Sequence, residues 1–419
     1  IRQDMKSEHA MHRLLQGDVG SGKTAVAMLI ASIAIGNGYQ VAFMAPTEIL
    51  AEQHYRTIQT YFQKIKIPVA LLTGSIKGND RKSILNGLKH GDIPMVVGTH
   101  ALIQETVNFD SLGLAIIDEQ HRFGVLQRGA LTEKGMNIDT LVMTATPIPR
   151  TMSLTLYGDL DISVIDEMPS NRQEIVTKKV GVAKLDAVYD FIREKITEGR
   201  QCFVVYPLIE ESEKMDLQAA TQGYEYLQKT FSEFEVGLLH GRMTADEKES
   251  VMQQFEANEI RILVSTTVIE VGIDVPNATI MLIENAERFG LTQLHQLRGR
   301  VGRGAHQSYC ILVNRSKGQN TEFAEHRLDI LVKSADGFKI ADEDLKIRGP
   351  GEIFGTKQSG FPELKIADYL EDGDLLRMAR KAAFKLVNND PRLAQPEHEQ
   401  LREHFRSHYA DQWKMSQIG

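Results

Sequence analysis

Residues 17–24 read Gly17-Asp18-Val19-Gly20-Ser21-Gly22-Lys23-Thr24, the spacing G-x-x-x-x-G-K-[ST]. Glycines at those places let backbone N–H groups turn inward around phosphate oxygens. The lysine ammonium then reaches β- and γ-phosphates, and the hydroxyl holds Mg²⁺. The octet predicts a nucleoside triphosphate site in which Lys23 serves phosphate and Thr24 the metal. The competing reading is a glycine-rich turn with an exposed lysine. The flanks argue against it: Arg13-Leu14-Leu15 reads as a short strand, and Ala25 to Ile35 is almost unbroken apolar sequence, as in a buried helix.

Two further groups have the types and spacing for phosphate chemistry. Leu114 to Ile117 is an apolar run that delivers the adjacent carboxylates Asp118 and Glu119. A turn after a strand brings both to one site, where Asp118 can hold Mg²⁺ through its water shell and Glu119 can orient and deprotonate the attacking water. The alternative is a strand ending in solvated acids. His121, two residues on, is a candidate relay of nucleotide state. The run Gln296-Leu297-Arg298-Gly299-Arg300-Val301-Gly302-Arg303 combines permanently charged planar donors with glycines that allow close approach. Arg300 and Arg303, three apart, face the same way if the segment is helical, and can act as arginine fingers on a γ-phosphate. A solvated basic helix, or a patch that only touches nucleic acid, is the alternative.

These groups need a scaffold that brings them together, and the sequence outlines one. Strand-like runs at Val41–Ala45, Met95–Gly98, Leu114–Asp118 and Leu141–Thr144 alternate with helical stretches. So do Gln201–Tyr206, Val236–His240, Arg261–Ser265, Thr279–Ile283 and Ser308–Val313. This is the pattern of an α/β protein with parallel sheets. Polar residues follow the strands: Pro46-Thr47-Glu48, Thr99-His100, Asp118 to His121, Ala145-Thr146, His240-Gly241-Arg242 and Thr266-Thr267. In open α/β sheets that edge binds ligands. Asp166 to Arg172 is polar, carries a proline and reads as a linker. The expected division is 1–168 and 169–325 for two α/β domains, then 326–365 and 366–419, the last helical and charged.

Composition limits the alternatives. With 42% hydrophobic and 25% charged residues the chain is an ordinary globular protein. No apolar run approaches the ~20 residues needed to span a bilayer. Cys202 and Cys310, the only cysteines, each sit inside an apolar run. That argues against a disulfide scaffold or zinc site and fits a reducing cytoplasm. The net charge of −8 speaks against a nucleic-acid partner only weakly, because a motor needs a basic track along one face. The opening Ile1-Arg2-Gln3-Asp4, without methionine, reads as part of something longer.

The P-loop, Ala45 to Glu48, Gly98 to His100, Asp118-Glu119-Gln120-His121, Thr144-Ala145-Thr146, Ser265 through Asp274 and Gln296 to Arg303 together resemble the ordered motifs of superfamily 2 helicases. The resemblance spans most of residues 13–304. It implies two RecA-like domains with ATP between them and nucleic acid across their top. By family position Gly272 and Asp274 line the ATP cleft, Gln296 joins the arginines, and Thr144 and Thr146 couple the site. Thr47, Thr99, His100 and Thr267 contact the nucleic-acid backbone.

A finer resemblance is to the RecG branched-DNA helicases. It rests on Asp118 to Gly124, Thr144 to Thr151 and Phe289 to Arg303, runs shared with the transcription–repair coupling translocases. Gly349-Pro350-Gly351 and Phe354-Gly355-Thr356 look like the RecG version of the segment that follows. That segment, 337–360, implies a helical hairpin and loop coupling ATP hydrolysis to movement on duplex DNA, with Arg348 and Gln358 in coupling and Lys357 on DNA. Gly349-Pro350-Gly351 must also interrupt any helix that runs into it. The resemblance implies Mg²⁺-ATP as cofactor and stalled forks or Holliday junctions as substrate. It further implies a nucleoid-associated cytoplasmic location, a monomer and an association with single-strand-binding protein. The departure from the family is expected at the front: RecG proteins carry an N-terminal wedge domain, which this sequence, starting inside the first motor domain, lacks, and the adenine-reading segment is missing or cut as well. The other readings are the transcription–repair translocase, a non-stepping ATP-binding switch or scaffold, and an RNA helicase.

Overall fold

A computed structural model describes residues 1–119, 131, 134–135, 137–146, 160–169, 173–207, 213–266, 275–316, 321–353 and 372–416. The first sheet is built from β1 (His12–Gly17), β2 (Gln40–Met44), β3 (Val69–Leu72), β4 (Met95–Gly98), β5 (Leu112–Ile117), β6 (Asp139–Thr144) and β7 (Asp161–Ile165). Between them lie helices α1 (Lys23–Gly36), α2 (Glu48–Phe62) and α3 (Gly78–Lys89). The strand order is β3-β4-β2-β5-β6-β1-β7, and every ladder is parallel. Parallel strands covered on both faces require continuous apolar runs. Accordingly β2 and β4 are buried at every residue. The core beneath them gathers Met44, Leu72, Leu88, Val96, Leu102 and Ile117.

The second sheet contains β8 (Val176–Gly181), β9 (Gln201–Val205), β10 (Val236–Leu239), β11 (Ile262–Ser265), β12 (Ala278–Ile283) and β13 (Tyr309–Asn314). Its order is β10-β11-β9-β12-β13-β8, again all parallel. Helices α4 (Leu185–Thr197), α5 (Glu213–Thr230), α6 (Ala245–Glu256) and α7 (Leu291–Arg298) connect it. Next come α8 (Thr321–Lys333), α9 (Gly337–Ile353), α10 (Gly373–Asn389) and α11 (Glu399–Ser416). Its core packs Ile192, Val204, Phe231, Ile262, Leu282 and Val313.

Contacts group the chain into two units, one of Ile1–Gly17, Lys23–Ile165 and Leu345–Gly419, the other of Asp18–Gly22 and Asp166–Asp344. In the first, Arg380 of α10 donates to the Leu160 carbonyl at 2.7 Å, tying α10 to the residue before β7. No helix among the described residues is long and apolar enough to cross a membrane.

All nine strand-like runs beyond the P-loop are strands, as is Arg13 to Leu15, to within a residue or two at each end. Three strands were not foreseen. β3 is short, and the edge strands β7 and β8 are only partly buried, so neither shows the apolar run that marks an interior strand. α9 begins at Gly337, with Asp336 Oδ1 accepting from the Phe338 and Lys339 N–H groups at 2.9 and 3.3 Å. It is broken where Gly349-Pro350-Gly351 predicts: Gly349 adopts φ 73°, ψ 160°.

One expectation fails. Arg300 and Arg303 do not share a helix face, because α7 ends at Arg298. Arg300 lies in the turn that follows, and Gly302 takes φ +80°, a conformation that residues with side chains rarely adopt. A Cβ at Gly302 would also stand 2.8 Å from Ile175 Cγ1.

Candidate nucleotide site and the ligand edges of the two sheets

Because each sheet is fully parallel, the C-terminal ends of its strands share one edge. In the first unit this edge carries Gly17 at the end of β1, the Thr47 and Thr99 loops, Asp118 and Thr144. The sequence predicted that gathering, and the ladders produce it.

The phosphate loop leaves β1 and enters α1 with Gly20 at φ +79° and Gly22 at φ +98°. Only glycine takes such conformations without strain, and they turn successive N–H groups toward one concavity. Lys23, the first residue of α1, is buried, and its Nζ donates to the Gly17 carbonyl at 2.8 Å. Thr24 is half-buried beside it.

Asp118 follows β5 immediately. Its N–H donates to the Met44 carbonyl at 2.9 Å, which continues the ladder one residue past the strands. Burial alone would push its carboxyl up. A hydrogen bond and charge from His54, then the charge of Lys23, outweigh that and hold it below the usual carboxylate range. His54 Nε2 lies 2.8 Å from Asp118 Oδ2. An ionised carboxylate only accepts, so Nε2 carries the hydrogen. Glu119 adopts φ +52°, a left-handed turn costing an L-residue ~1 kcal/mol. This kink takes the second carboxylate out of the alternation a continuing strand would impose.

The remaining predicted residues divide. Thr47 is the N-cap of α2, its Oγ1 accepting from Leu50 N at 3.4 Å. Thr144 Oγ1 accepts from Thr146 N at 3.1 Å across the turn after β6. Thr99 is 1% exposed, so of that pair only His100 presents its side chain. His121, Thr267, Gly272, Asp274, Lys357 and Gln358 lie outside the described residues, as does the side chain of Arg348.

In the second unit, α7 is pinned by residues that sequence reasoning did not single out. Arg298, 4% exposed, donates from Nη1 to the carbonyls of Leu331 and Ser334, each at 2.8 Å. Its Nη2 stands 2.7 Å from His295 Nδ1. Guanidinium only donates, so Nδ1 accepts and Nε2 bears the hydrogen for Asp18 Oδ1, 2.6 Å away. Thr292 Oγ1 donates to Asp344 Oδ2 at 3.2 Å, and Arg327 donates to the Phe289 carbonyl. The arginine-bearing turn is thus tied to the end of α8 and the start of α9. Arg300 is buried, whereas Arg303 is half-buried with its Nε 3.4 Å from the Gly299 carbonyl.

His54 and Arg298 had a legible signal. Leu50, Ala51 and Ile58 form the buried stripe of α2, and His54 sits within it, a polar residue on an apolar face. Arg298 lies inside the arginine run itself. Their partners are 64 and 33 residues away in sequence, and spacing does not reveal them.

Comparison with known proteins finds relatives over most of the chain. The DEAD/DEAH box helicase family matches residues 3–154, the helicase conserved C-terminal domain residues 183–305, and the C-terminal part of domain 3 of ATP-dependent DNA helicase RecG residues 334–418. An ATP-dependent DNA helicase RecG of Synechocystis sp. is 54% identical over 94% of this chain and 47% of its own length. Its counterpart in Thermotoga maritima is 56% identical over 91% of this chain and 49% of its own length. A solved structure of RecG bound to a three-way DNA junction superposes with TM-score 0.75 at 52% identity, over 90% of this chain and 48% of that one. Yeast Dbp5 bound to RNA and ADP BeF3, at 16% identity and TM-score 0.57 over 88% of this chain and 89% of that one, shares the fold. The chain spans about half the length of the curated relatives it matches. Over the stretch it shares with them, the chain is similar to the RecG helicases throughout.

Proposed function

We propose that the chain is the ATP-driven motor of a DNA helicase that translocates on duplex DNA and acts on branched substrates, stalled forks and Holliday junctions. The observation that carries this is one sheet edge holding both a phosphate loop ending in Lys23 and the buried Asp118 carboxylate. It occurs in a chain more than half identical to RecG helicases over at least nine-tenths of its length. Lys23 and the N–H groups of Gly17 to Gly22 bind phosphate. Glu119 orients the attacking water. Arg300, Arg303 and Gln296 stabilise charge on the transferred group, and Gly272 and Asp274 complete the nucleotide's surroundings.

Mg²⁺ fits this edge, since Asp118 and Thr24 offer hard oxygen donors and Mg²⁺ held largely by water and phosphate needs few protein ligands. When bound it neutralises charge developing on the transferred phosphoryl group. His121, Thr144, Thr146, Arg348 and Gln358 pass the nucleotide state on, and the ties from α7 to α8 and α9 support that route. Thr47, His100, Thr267 and Lys357, with the Thr99 loop, follow the DNA backbone. The division 1–168, 169–325, 326–365 and 366–419 and a monomeric state complete the reading.

The test is the ATPase rate of this chain with single-stranded, linear duplex and forked DNA. Stimulation by duplex and forked DNA above single strand is expected. A rate indifferent to DNA would leave the switch or scaffold reading instead.

A further inference from the structure

The first sheet's ligand edge and its carboxylate are joined by one rigid element. α2 runs without interruption from Glu48 to Phe62. At its start Thr47 caps the helix, and Glu48 Oε1 accepts from Gly74 N at 2.8 Å, which fixes the first turn to the loop after β3. That loop is itself closed by Thr73 Oγ1 and Ser75 Oγ at 2.7 Å. Seven residues past the cap, about two turns and ~10 Å along the axis on the same face, stands His54. Its ring packs on Phe43 of β2 at 4.7 Å between centroids, and its Nε2–H reaches Asp118 Oδ2 at 2.8 Å.

A histidine on the buried face of a helix is usually a satisfied core residue, and this one has such a partner. The partner's identity changes its meaning. A carboxylate has roughly four acceptor positions, and His54 takes one and fixes the rotation of the group that presents the others. We infer that His54 is a positioning residue that orients Asp118 for the metal and, through α2, links that carboxylate to the Thr47–Glu48 edge where DNA is proposed to bind. The link is one helix and two hydrogen-bonded ends, so a shift of the edge reaches the carboxylate without passing through any other element. This rests on the roles proposed above for Asp118 and Thr47.

The test compares His54→Phe, which keeps an aromatic ring against Phe43 but removes the donor, with His54→Gln, which keeps a donor on a shorter arm. The first readout is binding of a fluorescent ADP analogue with and without Mg²⁺. Wild type should bind more tightly with Mg²⁺, His54→Phe should lose about tenfold of that gain, and His54→Gln should recover most of it. The second is the ratio of duplex-stimulated to DNA-free ATPase, which should fall in His54→Phe and return in His54→Gln. If His54→Phe keeps both the Mg²⁺ gain and the stimulation ratio within about twofold, the inference is overturned. A purely structural role would lower thermal stability in both variants without separating the two ratios, and would likewise overturn it. Should His54→Phe not fold, ¹⁵N spectra of histidine-labelled wild type carry the test: the Nε2–H tautomer at His54 is required, and the Nδ1–H tautomer contradicts it. Absence of DNA stimulation in wild type would instead sink the proposed function itself.

Discussion

The two sheets are the same construction, used differently. Strand orders β3-β4-β2-β5-β6-β1 and β10-β11-β9-β12-β13-β8 correspond position for position in chain order, with β7 added at the edge of the first. Even the polar fastening at the start of the central strand recurs. Gln40 donates to the carbonyls of Leu88 and Ile93 and accepts from the N–H groups of Asp110 and Ser111. Gln201, opening β9, donates to the carbonyls of Phe255 and Ile260 and accepts from Asn277. The turn Thr73-Gly74-Ser75 after β3 has its counterpart in His240-Gly241-Arg242 after β10. Asp118 N bonds the Met44 carbonyl just as Glu284 N bonds that of Val205, each at 2.9 Å.

What differs is the chemistry mounted on that frame. After β1 comes the glycine-rich phosphate loop. After β8, Gly181 leads through a single tight turn, Val182–Lys184, straight into α4. Asp118 is bonded by His54 and feels the charge of Lys23 at the end of the phosphate loop. Glu284, 1% exposed, is instead paired with Arg315 at 2.8 Å. A permanent cation occupies the place where a metal-linked carboxylate would need to be open. On the function proposed above, one α/β frame becomes a nucleotide site through a loop and the partner of one carboxylate.

That contrast can be broken in several ways. The largest effect is expected from the two lysines that follow the equivalent glycines. Lys23→Ala should reduce ATP turnover by on the order of 10³-fold or more, while Lys184→Ala should leave steady-state turnover near wild type. Equal losses in both would erase the distinction. Next are the glutamine fasteners. Gln40→Leu and Gln201→Leu each strand buried peptide groups and should cost about 3 kcal/mol. Hydrogen exchange should show that loss in β4 and β5 for the first and in β11 and β12 for the second. A global, identical loss would mean that the units do not stabilise themselves separately.

Arg315→Ala should destabilise the second unit by about 2 kcal/mol, because it leaves the Glu284 carboxylate buried without its cation. Arg315→Ala/Glu284→Gln should recover much of this in urea unfolding. The smallest effect is a pH dependence carried by one histidine of the second unit. Burial, then the charges of Lys248 and Arg242, push His240 below its ordinary value. A histidine held neutral in the fold contributes stability that is full above its unfolded value and lost as pH falls through the lower folded value. Protection of β10 should therefore weaken on acidification below about pH 6.5, and His240→Thr, matching Thr73, should flatten that slope. An unchanged slope would remove His240 from the account.

How far the sequence already disclosed this follows from physical causes. Interior parallel strands are buried on both faces, so Val41 to Met44 or Ile262 to Val264 announce themselves as apolar runs. β7 and β8 lie at sheet edges, where Thr177, Lys178 and Lys179 face partly outward and no such run exists. The phosphate loop was legible because its chemistry demands glycines at fixed places. The geometry of Arg300 and Arg303 was not, because a three-residue spacing implies a shared face only while the helix lasts. α7 ends at Arg298, before either of them. His54, Gln40 and Arg315 act through partners distant in sequence. A single side chain in a helix stripe or at a strand end shows its type but not what it meets.

The most direct test of the motor assignment is displacement of a triplex-forming strand from linear duplex DNA by this chain. Displacement that requires ATP and disappears in Lys23→Ala is the predicted result. ATP hydrolysis stimulated by duplex without displacement, or displacement that survives in Lys23→Ala, would contradict it.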